Sequence, residues 1–111
     1  MVKEFKQTTS EGLNGWTIWQ VEGRIDIATS EETYASGEKI VKDNEKTCLD
    51  MSVLKYISSA GLRVILRLNK LAKSLKHEFA ISGATGMVKS VLEDSGMNVL
   101  LNVKESLDEL S

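Results

Sequence analysis

The chain has 111 residues, 41% of them hydrophobic and 27% charged, with a formal net charge of −2. That length suits one domain with a core of its own, and the weakly acidic balance argues against nucleic acid as the main partner, because holding phosphates needs a concentrated basic surface. A single cysteine, Cys48, rules out an intrachain disulfide; no run approaches the roughly 18 apolar residues of a membrane span, and the charged start lacks a signal-peptide core, so a soluble, cytoplasmic protein with no membrane insertion is expected.

Val2 to Gln7 alternates as a strand does. Asn14-Gly15 is a strong turn dipeptide, and Trp16 to Val21, rich in aromatic and β-branched residues, completes a hairpin. Trp16 and Trp19 are three apart and point to opposite faces, which puts one in the core and leaves the other as an edge residue or a contact for a partner. Gly23-Arg24-Ile25-Asp26 leaves that strand. Thr29 and Glu32 have capping-box spacing at the start of a helix with Tyr34, Ala35, Ile40 and Val41 on one side. Gly37 weakens that helix, and Asp43-Asn44 ends it.

Thr47 to Met51 is a compact apolar strand. From about Gly61 to Lys76, the residues Leu62, Ile65, Leu66, Leu68, Ala72 and Leu75 make a broad helical stripe. Phe79-Ala80-Ile81 is a short strand closed by Ser82-Gly83. Met87, Val88, Val91 and Leu92 form a third helical face, stopped by Ser95-Gly96. Asn98 to Val103 is a last short strand, and Leu107 to Leu110 a helical turn. The order β-β-α-β-α-β-α-β-α implies an α/β fold with right-handed crossovers. Its sheet is mostly parallel, with an antiparallel N-terminal hairpin at one edge and about four helices. The whole chain, 1–111, reads as one domain.

Catalytic signals are weak. His77, the one histidine, lies at the end of a Lys-rich helix, where it complements the helix C-terminus. No metal-ligand spacing and no phosphate-binding glycine loop is present, so neither metal nor cofactor is expected. Gly83-Ala84-Thr85-Gly86 opens a helix. Cys48 lies in an apolar strand. Asp26 and Asp50 follow strand-like segments and are expected on one rim of the sheet.

The informative segment is Ser58-Ser59-Ala60-Gly61-Leu62, between a strand and a helix. Backbone N–H groups at a helix start are unpaired and carry partial positive charge. A serine there can be a cap, an anion cradle or a hydroxyl offered for phosphorylation. Arg63, Arg67 and Lys70 extend a polar face from this point, and a cation in the first turn opposes the macrodipole.

Leu49-Asp50-Met51-Ser52 followed by Tyr56-Ile57-Ser58-Ser59-Ala60-Gly61-Leu62 resembles the signature of STAS domains, in particular the bacterial anti-sigma factor antagonists. Gly23-Arg24-Ile25-Asp26-Ile27-Ala28-Thr29-Ser30 is similar to an earlier segment of that family, and Ser82-Gly83 also fits its pattern. The resemblance implies a STAS-type fold without catalysis of its own. It implies two partners: an anti-sigma factor that is also an ATP-dependent serine kinase, and a metal-dependent serine phosphatase that resets the cycle. Carried over by position, Ser59 is the phosphoacceptor, and Asp26, Thr29, Ser58, Gly61, Leu62 and Arg63 lie on or near the recognition surface. Most members place Asp just before the acceptor. This chain has Ser58, which leaves Ser58 as the alternative acceptor. The resemblance also admits a stand-alone STAS subunit of a membrane transport system that is not phosphorylated.

Overall fold

A computed structural model describes residues 5–111. Strand β1 (Phe5–Glu11) runs into the Leu13–Gly15 turn and returns as β2 (Thr17–Ile25). The turn dipeptide has left-handed backbone at both residues, φ 56° at Asn14 and 83° at Gly15, the conformation these residue types tolerate best. Helix α1 (Ser30–Asp43), strand β3 (Lys46–Asp50), strand β4 (Leu54–Ile57) and helix α2 (Ser59–Ser74) follow. Strand β5 (Glu78–Ser82), helices α3 (Gly86–Asp94) and α4 (Met97–Leu100), strand β6 (Asn102–Lys104) and a single turn at Leu107–Glu109 complete the chain.

The sheet order is β1-β2-β3-β5-β6, with β4 also paired to β2. Among the described residues only β1 pairs antiparallel. The expected mixed sheet with its N-terminal hairpin and four helices is therefore present; β2 runs past Val21 through Gly23, Arg24 and Ile25, residues expected to leave the strand, and there are three further differences. The first strand runs over Phe5–Glu11, and the part of the expected strand at residues 2–4 lies outside the described residues. The expected Asn98–Val103 strand is helix at Met97–Leu100 and strand only from Asn102. Gly96, with φ 77°, turns the chain between α3 and α4, and Leu101, buried at 6%, fastens the exit.

The third difference is β4 (Leu54–Ile57), a strand the sequence does not predict. A turn at Met51–Leu54, closed by Leu54 N–H to Met51 O, ends β3. The chain then resumes as four residues beside the far half of β2, pairing Arg24 with Tyr56 and Ile25 with Ile57. A four-residue strand carries too little period-2 signal to stand out beside a serine-rich loop.

Side-chain alternation across β2, β3 and β5 sets the layers. Trp19, Leu49 and Ile81 share a row and face the main core with α1, α2 and α3. Ile18, Cys48 and Ala80 share the next row and face the opposite side. There the C-terminal segment lies over them: Leu110 is buried, and Trp16 Nε1–H donates to the Ser111 main-chain oxygen at 3.1 Å. Both tryptophans are thus core residues, on opposite faces as expected, and neither is open to a partner (3% and 0% exposed).

Gly37 has a packing reason that its helix propensity hides. A Cβ there would lie 2.6 Å from Leu68 Cδ1 and 2.7 Å from Trp19 Cη2. The missing side chain lets α1 settle onto the indole and onto α2.

Candidate functional site

β2 and β4 are parallel, so the loops leaving them emerge at the same end of the sheet. Ser58 N–H donates to Ile25 O at 3.0 Å, which ties the serine loop to the end of β2. Gly61 presses this contact home. It is buried, and a Cβ would stand 2.8 Å from Ile25 O and 2.7 Å from Ile57 Cγ1. Only a residue without a side chain lets the first turn of α2 approach the strand this closely.

The two serines have different tasks. Ser58 is the N-cap of α2; its backbone is extended and its Oγ accepts from Gly61 N–H at 3.3 Å. Its side chain is half-buried. Ser59 is the first helical residue and is exposed, and its hydroxyl makes no hydrogen bond among the described residues.

The neighbouring loop is built around Asp26. Its Oδ1 accepts from Ala28 N–H at 3.0 Å and Thr29 N–H at 3.3 Å, and Arg24 Nε donates to Oδ2 at 3.3 Å. Burial pushes the Asp26 carboxyl up. The hydrogen bond from Arg24, those from the Ala28 and Thr29 backbones, and the Arg24 charge outweigh it and hold the carboxyl below its ordinary value. Arg24 also lies over the Tyr56 ring, 4.2 Å from its centroid, so β2 and β4 are clamped by their side chains as well as by the ladder.

Thr29 does not make the expected capping box. Its hydroxyl turns back, donating to Arg24 O at 2.9 Å and accepting from Asp26 N–H at 3.0 Å. It occupies the N-cap position without a side-chain cap bond, because the tight turn after β2 has stronger claims on it. Thr29, Gly61 and Leu62, expected on or near the recognition surface, are buried, Thr29 at 3% and Leu62 at 8% exposure, and pack the two loops from beneath.

Asp26, Ser58, Ser59 and Arg63 remain at the surface, with one residue the sequence reading missed. Ile27 is 83% exposed at the tip of the β2–α1 loop. It borders a groove of about 400 Å³ between the two helix starts, lined also by Glu31, Ala60, Arg63 and Arg67. An apolar residue just after a strand reads as strand continuation, and only the turn at Asp26 projects it outward.

Asp50 does not join Asp26 on one rim. It pairs in register with Gln20, six positions before Asp26 on β2, about 20 Å along a strand. Its carboxylate is 5% exposed and accepts from Gln20 Nε2 at 2.9 Å and Ser52 N–H at 3.0 Å. His77 Nδ1–H donates to Val41 O at 2.8 Å, in the last turn of α1. It does complement a helix C-terminus, that of the neighbouring helix. Among the described residues no cluster of three or more His, Cys, Asp or Glu is arranged to hold a metal ion, and no helix is long and apolar enough to cross a membrane.

The STAS domain profile matches residues 7–110 of this chain. BtrV of Bordetella bronchiseptica, named a candidate anti-sigma factor antagonist, is 30% identical over 99 residues, 88% of this chain and 85% of that protein. The crystal structure of an anti-sigma factor antagonist from Mycobacterium paratuberculosis superposes with a TM-score of 0.83 at 19% identity, covering 95% of this chain and 89% of that one. The Bacillus cell fate determinant SpoIIAA in its phosphorylated form gives a TM-score of 0.68 at 10% identity, over 93% and 95% of the two chains.

Proposed function

The chain belongs to the STAS domain family, and on that premise we propose that it is a non-catalytic anti-sigma factor antagonist whose exposed Ser59 is its switch. Unmodified, it docks an anti-sigma factor of the serine-kinase type through the Asp26–Ile27 loop and the start of α2. The kinase then moves the γ-phosphoryl group of ATP to Ser59. An Oγ–P bond forms, the β–γ phosphoanhydride bond breaks, ADP leaves, and the hydroxyl proton passes to a base on the kinase. A metal-dependent phosphatase uses water to return the serine and release inorganic phosphate.

The observation that carries this reading is the division of labour between the serines. Ser58 is occupied as a cap, while Ser59 offers to solvent a hydroxyl that is unengaged among the described residues. A phosphoserine carries about −1.5 to −2 charge, and at the start of a helix that charge is stabilised by roughly 0.3–2 kcal/mol. Phosphorylation therefore leaves the fold intact and acts at the interface, through repulsion and the cost of desolvating the phosphate. A loss of about 100-fold in affinity needs only about 2.7 kcal/mol.

Incubation with a kinase-type anti-sigma factor and ATP, read by mass spectrometry, is expected to label Ser59 and to spare Ser59→Ala. Ser59→Asp is expected to weaken partner binding about 100-fold with a nearly unchanged melting temperature. Label on Ser58, or unaltered binding by a melted Ser59→Asp variant, overturns the assignment. Neither label nor binding would favour the transport-subunit alternative.

A further inference from the structure

We propose, resting on the reading of Ser59 as the modified residue, that Arg63 is the built-in counter-ion of the phosphate. Ser59 opens α2 and Arg63 follows by four positions, so their side chains share one face of the helix. Long helical side chains lean toward the N-terminus, a direction that brings the Arg63 guanidinium within reach of the turn that carries Ser59. Both residues are exposed.

The other arginines near the site already have partners. Arg24 is held by Tyr56 and Asp26. Arg67 stacks on Tyr34 of α1, 3.8 Å from the ring centroid. Arg63 has no hydrogen bond, ion pair or ring contact among the described residues. Its charge stands at the end of the helix where a cation is disfavoured. A phosphate on Ser59 removes that penalty, and a guanidinium offers the forked donors that match phosphate oxygens.

The pairing has a regulatory consequence. Arg63 lines the groove beside Ile27 and Glu31. In the unmodified protein its charge is available to a partner there. Once Ser59 is phosphorylated, the guanidinium is drawn to the phosphate and the groove loses a cation. The modification adds a negative charge and withdraws a positive one in the same step.

The test is a titration of the full chain carrying phosphoserine installed at position 59 during synthesis, followed by phosphorus NMR. The second phosphate proton, released near pH ~6 in free phosphoserine, is expected to leave at lower pH here. Arg63→Gln should move the midpoint up by about 0.3 pH. Arg63→Lys should fall between, and Arg67→Gln should leave it unchanged. A midpoint that does not respond to Arg63→Gln overturns the pairing. No kinase enters this experiment, so a failed transfer from ATP would sink the switch and leave the titration result standing, while an unresponsive midpoint would sink the pairing alone.

Discussion

Ser58 and Ser59 are adjacent, chemically identical and separated by their hydrogen bonds. Ser58→Ala removes the acceptor for Gly61 N–H, and loss of such a cap costs about 0.5–2 kcal/mol. A lowered denaturation midpoint is the expected result, measured by chemical unfolding, and an unchanged midpoint would show that the cap bond contributes nothing. Asp26 is the second residue whose chemistry can be read out directly. Its carboxyl is held below the ordinary 3.8 by hydrogen bonds that exist only in the folded loop. The stability it contributes is therefore present above pH 3.8 and is lost as the pH falls through the lower folded value. Unfolding curves of the parent protein and Asp26→Asn should differ at neutral pH and converge below pH 3.8; a constant gap across that range would show that the carboxylate charge contributes nothing.

Among the elements, α1 depends most on its surroundings. Its buried positions Thr33, Gly37 and Val41 form a narrow stripe, and Gly37 is where it meets Trp19 and Leu68. On helix propensity alone Gly37→Ala would gain about 1 kcal/mol. The new methyl would overlap an indole ring that cannot bend away, and overpacking of this kind costs about 1–3 kcal/mol. Net destabilisation is expected in thermal unfolding, where propensity predicts the opposite sign. A raised melting temperature would mean that α1 rides further from the sheet than its contacts indicate.

For the molecule as a whole, the two faces of the sheet are closed by different means. Three helices cover one, and the short C-terminal segment covers the row of Ile18, Cys48 and Ala80 on the other. Cys48 is fully buried beneath it. Burial raises its thiol pKa, a hydrogen bond to Ser82 offsets part of that, and Asp50 adds to the rise, so the native thiol is a poor nucleophile. Leu110→Ala is expected to cost about 2–5 kcal/mol and to make Cys48 react with a thiol reagent under native conditions. The Ser59 end of the molecule should keep its binding. Unchanged thiol protection would show that Leu110 is not what seals this face.

Local chemistry in the sequence determined most of the elements: the Asn14-Gly15 turn, the apolar stripe of α2, the aromatic and β-branched run of β2 and the serine cap at the start of α2. Each rests on neighbours within a few positions, where periodicity and turn preferences act directly. Tertiary structure alone decided the rest. It placed β4 beside β2, buried both tryptophans, moved Asp50 away from Asp26, turned Thr29 inward and Ile27 outward, and separated a capping serine from a free one. Those outcomes depend on which strand lies against which, and pairing between distant segments leaves no mark on the short-range pattern of the chain.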